Sequence, residues 1–190
     1  MNLIDLARKR KTVRKFKDSV VPPLEDILYS IEVAKEAPSG MNAQPWLFYV
    51  VKSSKLKEKI RNECEKAEKI FYEKSRGRLK DWLDAHEFSW KKDFLTQAPY
   101  LILVFSNKKF PFSRESVWLS IGYLLLALEE KGLATVPYTP PNFREIELIL
   151  DVPVEYKLEV ILPVGYSDDP KSKYERKKLE EIVIFCEEEK

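Results

Sequence analysis

Apolar and polar positions alternate along this chain in patterns that predict its elements. Leu3, Ile4, Leu6 and Ala7 recur at helical spacing behind Asn2, a residue suited to cap a helix. Arg8-Lys9-Arg10-Lys11 follows, and Thr12, Val13 and Phe16 then read as extended chain. Pro22-Pro23 opens a second helix with Leu24, Ile27, Leu28, Ile31 and Ala34 on one face, ended by Pro38-Ser39-Gly40. Leu47 to Val51, Tyr100 to Phe105 and Leu158 to Val164 read as buried strands. From Ser53 to about Gln97 the pattern is helical, strongly charged and broken near Gly77. Glu115 to Lys131 is a helix apolar on nearly every side, with Gly132 just past its end. Such a helix must be covered all round, and in so short a chain a subunit interface is the expected cover. Thr135 to Pro137 is a short extended piece, and Asn142 can cap a helix through Ile149. Near the C-terminus, Ile182 to Phe185 reads as an apolar strand that wants a sheet edge, its own or a partner's. These elements predict one α+β domain over residues 1–190 that dimerises.

Composition narrows the function classes. The chain has 190 residues, 44% apolar and 12% aromatic, enough for a sizeable core and too many for a disordered regulator. Its net charge is only +2, whereas a dedicated nucleic-acid binder carries a larger excess. Cys64, Cys186 and the single histidine, His86, form no cluster of zinc-ligand spacing. Neither cysteine has a neighbouring base to activate it. Neither a Rossmann dinucleotide fingerprint nor a P-loop is present. Met1 to Lys17 has no long apolar stretch, and Val117 to Leu128 is too short to cross a bilayer. The expectation is a soluble cytoplasmic protein with no membrane partner.

Three groups of residues can carry chemistry. In the first, Arg8, Lys9, Arg10, Lys11, Arg14, Lys15 and Lys17 crowd one short stretch. This is a solvated helix end, a nucleic-acid patch, or a phosphate site. Arg10, Thr12 and Arg14 alternate, so extended chain would point two guanidiniums and a hydroxyl to one side, which suits a phosphate. The second is Ala37 to Trp46. A helix stop and a turn explain Pro38, Gly40 and Pro45 but do not require Ser39, Asn42 and Gln44 so close together; amides could read the edge of a heterocycle. The third is the basic group Lys171, Lys173, Arg176, Lys177 and Lys178, which by itself reads as a solvated tail.

Taken in order, these segments resemble the FMN-dependent nitroreductase family. Arg10 to Phe16 resembles the family's R-x-S-x-R/K-x-F, with Thr12 keeping the hydroxyl. Ala37 to Trp46 is close to its A-P-S-x-x-N-x-Q-P-W. Gly132 to Pro137 resembles G-L-G-T-x-P, and Val160 to Tyr166 a strand ending in G-Y/H. Arg176 to Val183 resembles R-K-P-L-E-E-V-V, with Lys178 in place of proline. The likeness spans nearly the whole chain, apart from a divergent middle between Ser53 and Thr96.

The resemblance implies an α+β sandwich with a central, mostly antiparallel sheet flanked by helices, an obligate homodimer with exchanged C-terminal arms, and FMN at the dimer interface. Arg10 and Thr12 would hold the phosphate with Arg176, and Lys11 would add backbone or charge. Arg14 would lie near the flavin N1 and C2 carbonyl, where a cation favours the reduced ring. Pro38, Ser39, Gly40 and Asn42 would come from the other subunit, with Gln44 reading the pyrimidine edge. Pro137, Tyr138 and Thr139 would pass the N5 side; Pro140 has no N–H, which makes Thr139 the donor. The activity implied is hydride transfer from NADH or NADPH to FMN, then reduction of a nitroaromatic or quinone in ping-pong order. The alternatives are a specialised FMN enzyme of the same fold, a reductive dehalogenase or a flavin-fragmenting enzyme, and a nucleic-acid-binding module using Arg8 to Lys17. No catalytic side chain and no metal are expected.

Overall fold

The three long apolar runs become strands of one sheet. The computed structural model describes residues 2–18, 20–86 and 88–186. Strands β1 (Trp46–Val51), β2 (Tyr100–Asn107), β3 (Ala134–Thr135) and β4 (Tyr156–Gly165) pair antiparallel in the order β1-β2-β4-β3. Every residue of β2 is buried, and so is every residue of β4 from Leu158 onward. Both central strands are therefore covered on both faces. Tyr100, Ile102 and Val104 point to one face and Leu101, Leu103 and Phe105 to the other. A bulge skips Glu159 between the pairs Val104–Val160 and Phe105–Leu158, which brings Leu158 onto the same face as Ile161.

The helices are α1 (Leu3–Lys9), α2 (Leu24–Lys35), α3 (Ser54–Lys74), α4 (Gly77–Ala85), α5 (Phe94–Gln97), α6 (Ser113–Glu130) and α7 (Arg144–Ile149). Ile27 and Ala34 of α2 and Val117, Ile121, Leu124 and Leu128 of α6 cover the first face. Ile60 and Cys64 of α3, Leu95 of α5 and Ile146 of α7 cover the second. Asn2 Oδ1 accepts the Asp5 N–H at 3.0 Å, and Ser53 Oγ accepts that of Leu56 at 3.3 Å. Gly132, at φ +70, stops α6. The N-terminal segment edges the sheet, through bridges Thr12–Thr135 and Phe16–Ser167.

Three details differ from the sequence reading. Leu24 and Leu28 of α2 are exposed, and Ser30 takes the buried position between Ile27 and Ala34. The charged stretch after Ser53 splits into α3, α4 and α5, with a loop before α5. Ile182 to Phe185 is not a strand in the single chain: a short 3-10 turn at Leu179–Glu181 precedes it, and Ile184 and Phe185 are almost fully exposed. A strand needs a paired edge, and in the single chain this tail pairs with none. The outer side of α6 also leaves Leu119 and Tyr123 exposed. Among the described residues, no helix is long and apolar enough to cross a membrane, and no three His, Cys, Asp or Glu gather to hold a metal.

Candidate functional site

Val13 and Phe16 are buried in the core, and they fix the basic segment around them. The Val13 N–H donates to Thr135 O at 3.1 Å. The C-terminal segment is then strapped across it. Lys11 Nζ donates to the carbonyls of Asp169 and Lys171 at 2.8 and 2.7 Å, and Lys173 Nζ to those of Ala7 and Arg8 at 2.6 and 3.0 Å. The Arg14 and Lys171 N–H groups donate to the Asp169 carboxylate at 2.9 and 3.0 Å. Burial alone would raise the Asp169 carboxyl, but these N–H bonds and the charges of Lys11 and Lys171 outweigh it and hold it below the usual range. Lys11 is thus a clamp whose charge is spent on backbone carbonyls.

This strap brings Arg10 and Arg176 together from opposite ends of the chain. Burial, then the neighbouring Arg176 charge, push the Arg10 guanidinium down, and Glu129 only partly offsets them. Lys173 feels burial and both arginines in the same sense. Among the described residues, neither arginine has a carboxylate within ion-pair distance. Gathered like charges with little compensation make a cradle for a phosphate-like anion, which Arg binds bidentately. Thr12 lies alongside, half-buried.

Beside the cradle opens a cleft of about 430 Å³. Pro137, Tyr138 and Thr139 form one side, and Trp82, His86 and Phe88 form an aromatic wall opposite. The Trp82 and His86 rings stack at 4.5 Å, and the Arg14 guanidinium lies 4.8 Å over Phe88. Arg14 therefore faces this cleft while Arg10 faces Arg176, so the two do not converge on one point as strict alternation implied.

The inner end of the cleft comes from α3. Its stripe of residues spaced by four begins apolar, at Ile60 and Cys64, and turns polar at Glu68 and Tyr72, where the helix passes beyond the sheet. Lys92, from the loop before α5, sits 3.2 Å from Glu68 Oε2, and both side chains are nearly buried. Tyr138 donates its hydroxyl to Glu68 Oε1 at 2.8 Å. Lys92 Nζ also lies 5.2 Å over the Tyr72 ring. Burial pushes the Lys92 ammonium down, partly offset by Glu68. Burial also pushes the Cys64 thiol up to about 12, and the Tyr72 and Tyr138 phenols upward. Glu68, Tyr72 and Lys92 were not singled out by the sequence, where they lie among the exposed Lys and Glu of the divergent middle. The one available signal was the spacing of Glu68 and Tyr72 on one helix face.

The loop from Pro38 to Gln44 is elsewhere. It is largely exposed, and Met41, Asn42 and Gln44 all take positive φ, of 58, 51 and 46 degrees. Non-glycine residues persist there only when their surroundings hold them, often at functional sites. Ser39 Oγ accepts the Gln44 N–H at 3.0 Å, Asn42 Oδ1 accepts Gln44 Nε2 at 3.4 Å, and Gly40 N–H donates to Ser116 Oγ at 3.2 Å. Ser116 opens α6, whereas Lys9, beside Arg10, pairs with Glu129 at its end. That separation is about 20 Å of helix. Within one protomer Pro38, Ser39, Gly40, Asn42 and Gln44 do not reach the cradle formed by Arg10, Thr12 and Arg176.

Fold, cradle and cleft together define a class: an α+β domain with an anion-binding end beside an aromatic cleft. The chain belongs to the nitroreductase family, whose model matches residues 7–166. It is 66% identical over 182 residues to iodotyrosine deiodinase of Thermotoga neapolitana, covering 96% of each chain. A crystal structure of oxidized iodotyrosine deiodinase bound to FMN and 3-iodo-L-tyrosine superposes with a TM-score of 0.93 at 63% identity, over 98% of this chain and 100% of that one. A BluB-like flavoprotein from Clostridium difficile 630 superposes with a TM-score of 0.80 at 29% identity, again over 98% and 100%.

Proposed function

We propose that this chain is an FMN-dependent reductive dehalogenase of halogenated tyrosine that works as a homodimer. The observation that carries this reading is the buried Glu68–Lys92 pair, with Tyr72 beside it, at the inner end of an aromatic cleft. An α-amino acid carries an ammonium and a carboxylate, and these two side chains offer one partner for each. A neutral nitroaromatic or quinone would use neither charge, so the NAD(P)H-driven reductase is the weaker reading. The similarity to iodotyrosine deiodinases supports the same choice.

The residues present fit FMN. Arg10 and Arg176, whose mutual repulsion a dianion relieves, would hold the phosphate with the Thr12 hydroxyl. Arg14 would place a positive charge where it favours an electron-rich ring. In the 137–140 segment, Pro137 and Pro140 have no N–H, and the Tyr138 N–H is already given to Ile161 O at 3.0 Å. That leaves the Thr139 amide as the donor toward the ring. Pro38, Ser39, Gly40, Asn42 and Gln44 would reach the same ring from the partner subunit, because their own cradle is too far away. The exposed side of α6 and the apolar tail from Ile182 to Phe185 supply the surfaces for that pairing, the tail by exchange between subunits.

Bound and reduced, FMN would supply two electrons which, with one proton, replace the carbon–iodine bond by carbon–hydrogen and release iodide. An external reductant, NADH or NADPH in the family expectation, would renew those electrons. Lys92 would take the substrate carboxylate and Glu68 its ammonium, orienting the ring. Trp82 and Phe88 would close the aromatic wall and exclude water. Purified protein should carry FMN stoichiometric with its chains, and 3-iodo-L-tyrosine should perturb the flavin spectrum saturably. A flavin spectrum answering to nitroaromatics but not to 3-iodo-L-tyrosine would favour the reductase instead.

A further inference from the structure

We propose that Tyr138 is a positioning residue whose hydroxyl aims the Glu68 carboxylate at the substrate ammonium, and so sets the preference for an α-amino acid over a bare halophenol. The proposal rests on the dehalogenase reading above and assigns part of its selectivity.

Tyr138 is unusually well fixed. Its N–H donates to Ile161 O at 3.0 Å and its carbonyl accepts the Ile161 N–H at 2.8 Å, which ties its backbone into the sheet beside β4. Its ring meets Phe94 edge-on at 5.5 Å, and the residue is 8% exposed. The hydroxyl therefore occupies one place, 2.8 Å from Glu68 Oε1.

Glu68 needs that anchor. It sits near the end of α3, and its other oxygen faces Lys92, which belongs to a loop. If the substrate carboxylate draws Lys92 away, the hydroxyl of Tyr138 is the remaining fixed donor to Glu68. With Oε1 held from the sheet side, Oε2 stays turned toward the cleft, where the ammonium arrives. The phenol cannot drift toward a competing anion. Burial keeps the neighbouring Cys64 thiol protonated, and the same burial keeps Tyr138 a neutral donor. Tyr138 also precedes Thr139, the residue assigned to the flavin, so one rigid segment serves ring and substrate together.

The test uses Tyr138→Phe holoenzyme, chemically reduced, with 3-iodo-L-tyrosine and with 2-iodophenol, which keeps the ring and lacks both charges. The ratio of kcat/KM for the amino acid over the phenol should fall about tenfold, mostly through KM. A variant that is merely less stable would lose both activities in proportion, and an unchanged ratio overturns the proposal. In the Glu68→Gln background the further change Tyr138→Phe should add little, because the two act as a unit; full additivity contradicts the assignment. If Tyr138→Phe fails to fold, the wild-type phenolic proton should give a slowly exchanging downfield NMR signal that persists when 3-iodo-L-tyrosine binds. Its loss on binding overturns the proposal. Failure of the wild type to process or bind 3-iodo-L-tyrosine would instead overturn the dehalogenase reading, and this assignment with it.

Discussion

Individual side chains in this site are set by what burial does to charge. Arg10 and Arg176 lie together with little compensation, so each is worth more to an anion than to the fold. Replacing either with alanine should weaken FMN binding about ten- to a hundredfold, read by fluorescence titration of the apoprotein, with little loss of melting temperature. Asp169 has the opposite character. Its carboxyl is held below the usual range, so its stabilisation is complete above the ordinary carboxylate pKa and fades as pH falls through the depressed one. Asp169→Asn should therefore cost about 2 kcal/mol at neutral pH, and melting curves of variant and wild type should begin to converge only as pH falls below about 4. The Cys64 thiol, pushed up to about 12, should resist alkylation at pH 8 until the protein is unfolded. The parts of the site were legible to different degrees. The two basic clusters stand out in the sequence, but only the strap of Lys11, Lys173 and Asp169 shows that they meet. Glu68 and Lys92 were hidden because their spacing matches the solvated Lys and Glu around them. Burial separates them from those neighbours, and burial is not written in the local pattern.

At the scale of elements, long apolar runs show their place in the sheet and core from the sequence, whereas a segment that needs a partner does not show its place in the single chain. β2 and β4 carry continuous apolar runs because helices cover both faces, and α6 was recognised as needing cover on every side. Its exposed Leu119 and Tyr123 still ask for that cover. Leu119→Glu should shift sedimentation toward monomer and release FMN at the same time, since Ser39 and Gly40 would no longer reach the partner's cradle. The tail from Ile182 to Phe185 is a continuous apolar run that reads as a strand, but a strand exists only beside an edge. Tight approaches set other limits. A Cβ on Gly165 would lie 2.7 Å from Pro99 Cδ and 3.2 Å from Phe16, between β4 and the N-terminal segment. Gly165→Ala should destabilise by about 1–3 kcal/mol in denaturant unfolding.

For the whole molecule, the family was legible because five short motifs fall in the right order, and each holds a place where backbone geometry or charge admits few residues. The reaction was less legible. From motifs alone an NAD(P)H-dependent reductase ranks ahead of a dehalogenase, because the motifs report how FMN is held and not what enters beside it. On the proposed reading the substrate is chosen by the divergent middle, through Glu68, Tyr72 and Lys92, and the similarity to iodotyrosine deiodinases favours the reverse order. The most direct measurement is iodide release from 3-iodo-L-tyrosine by anaerobically reduced holoenzyme. Iodide and tyrosine formed in equal amounts, with Lys92→Met raising KM about tenfold or more, is the predicted result. Reduced flavin that persists unchanged with 3-iodo-L-tyrosine, yet is rapidly reoxidised by a nitroaromatic or quinone, would contradict it.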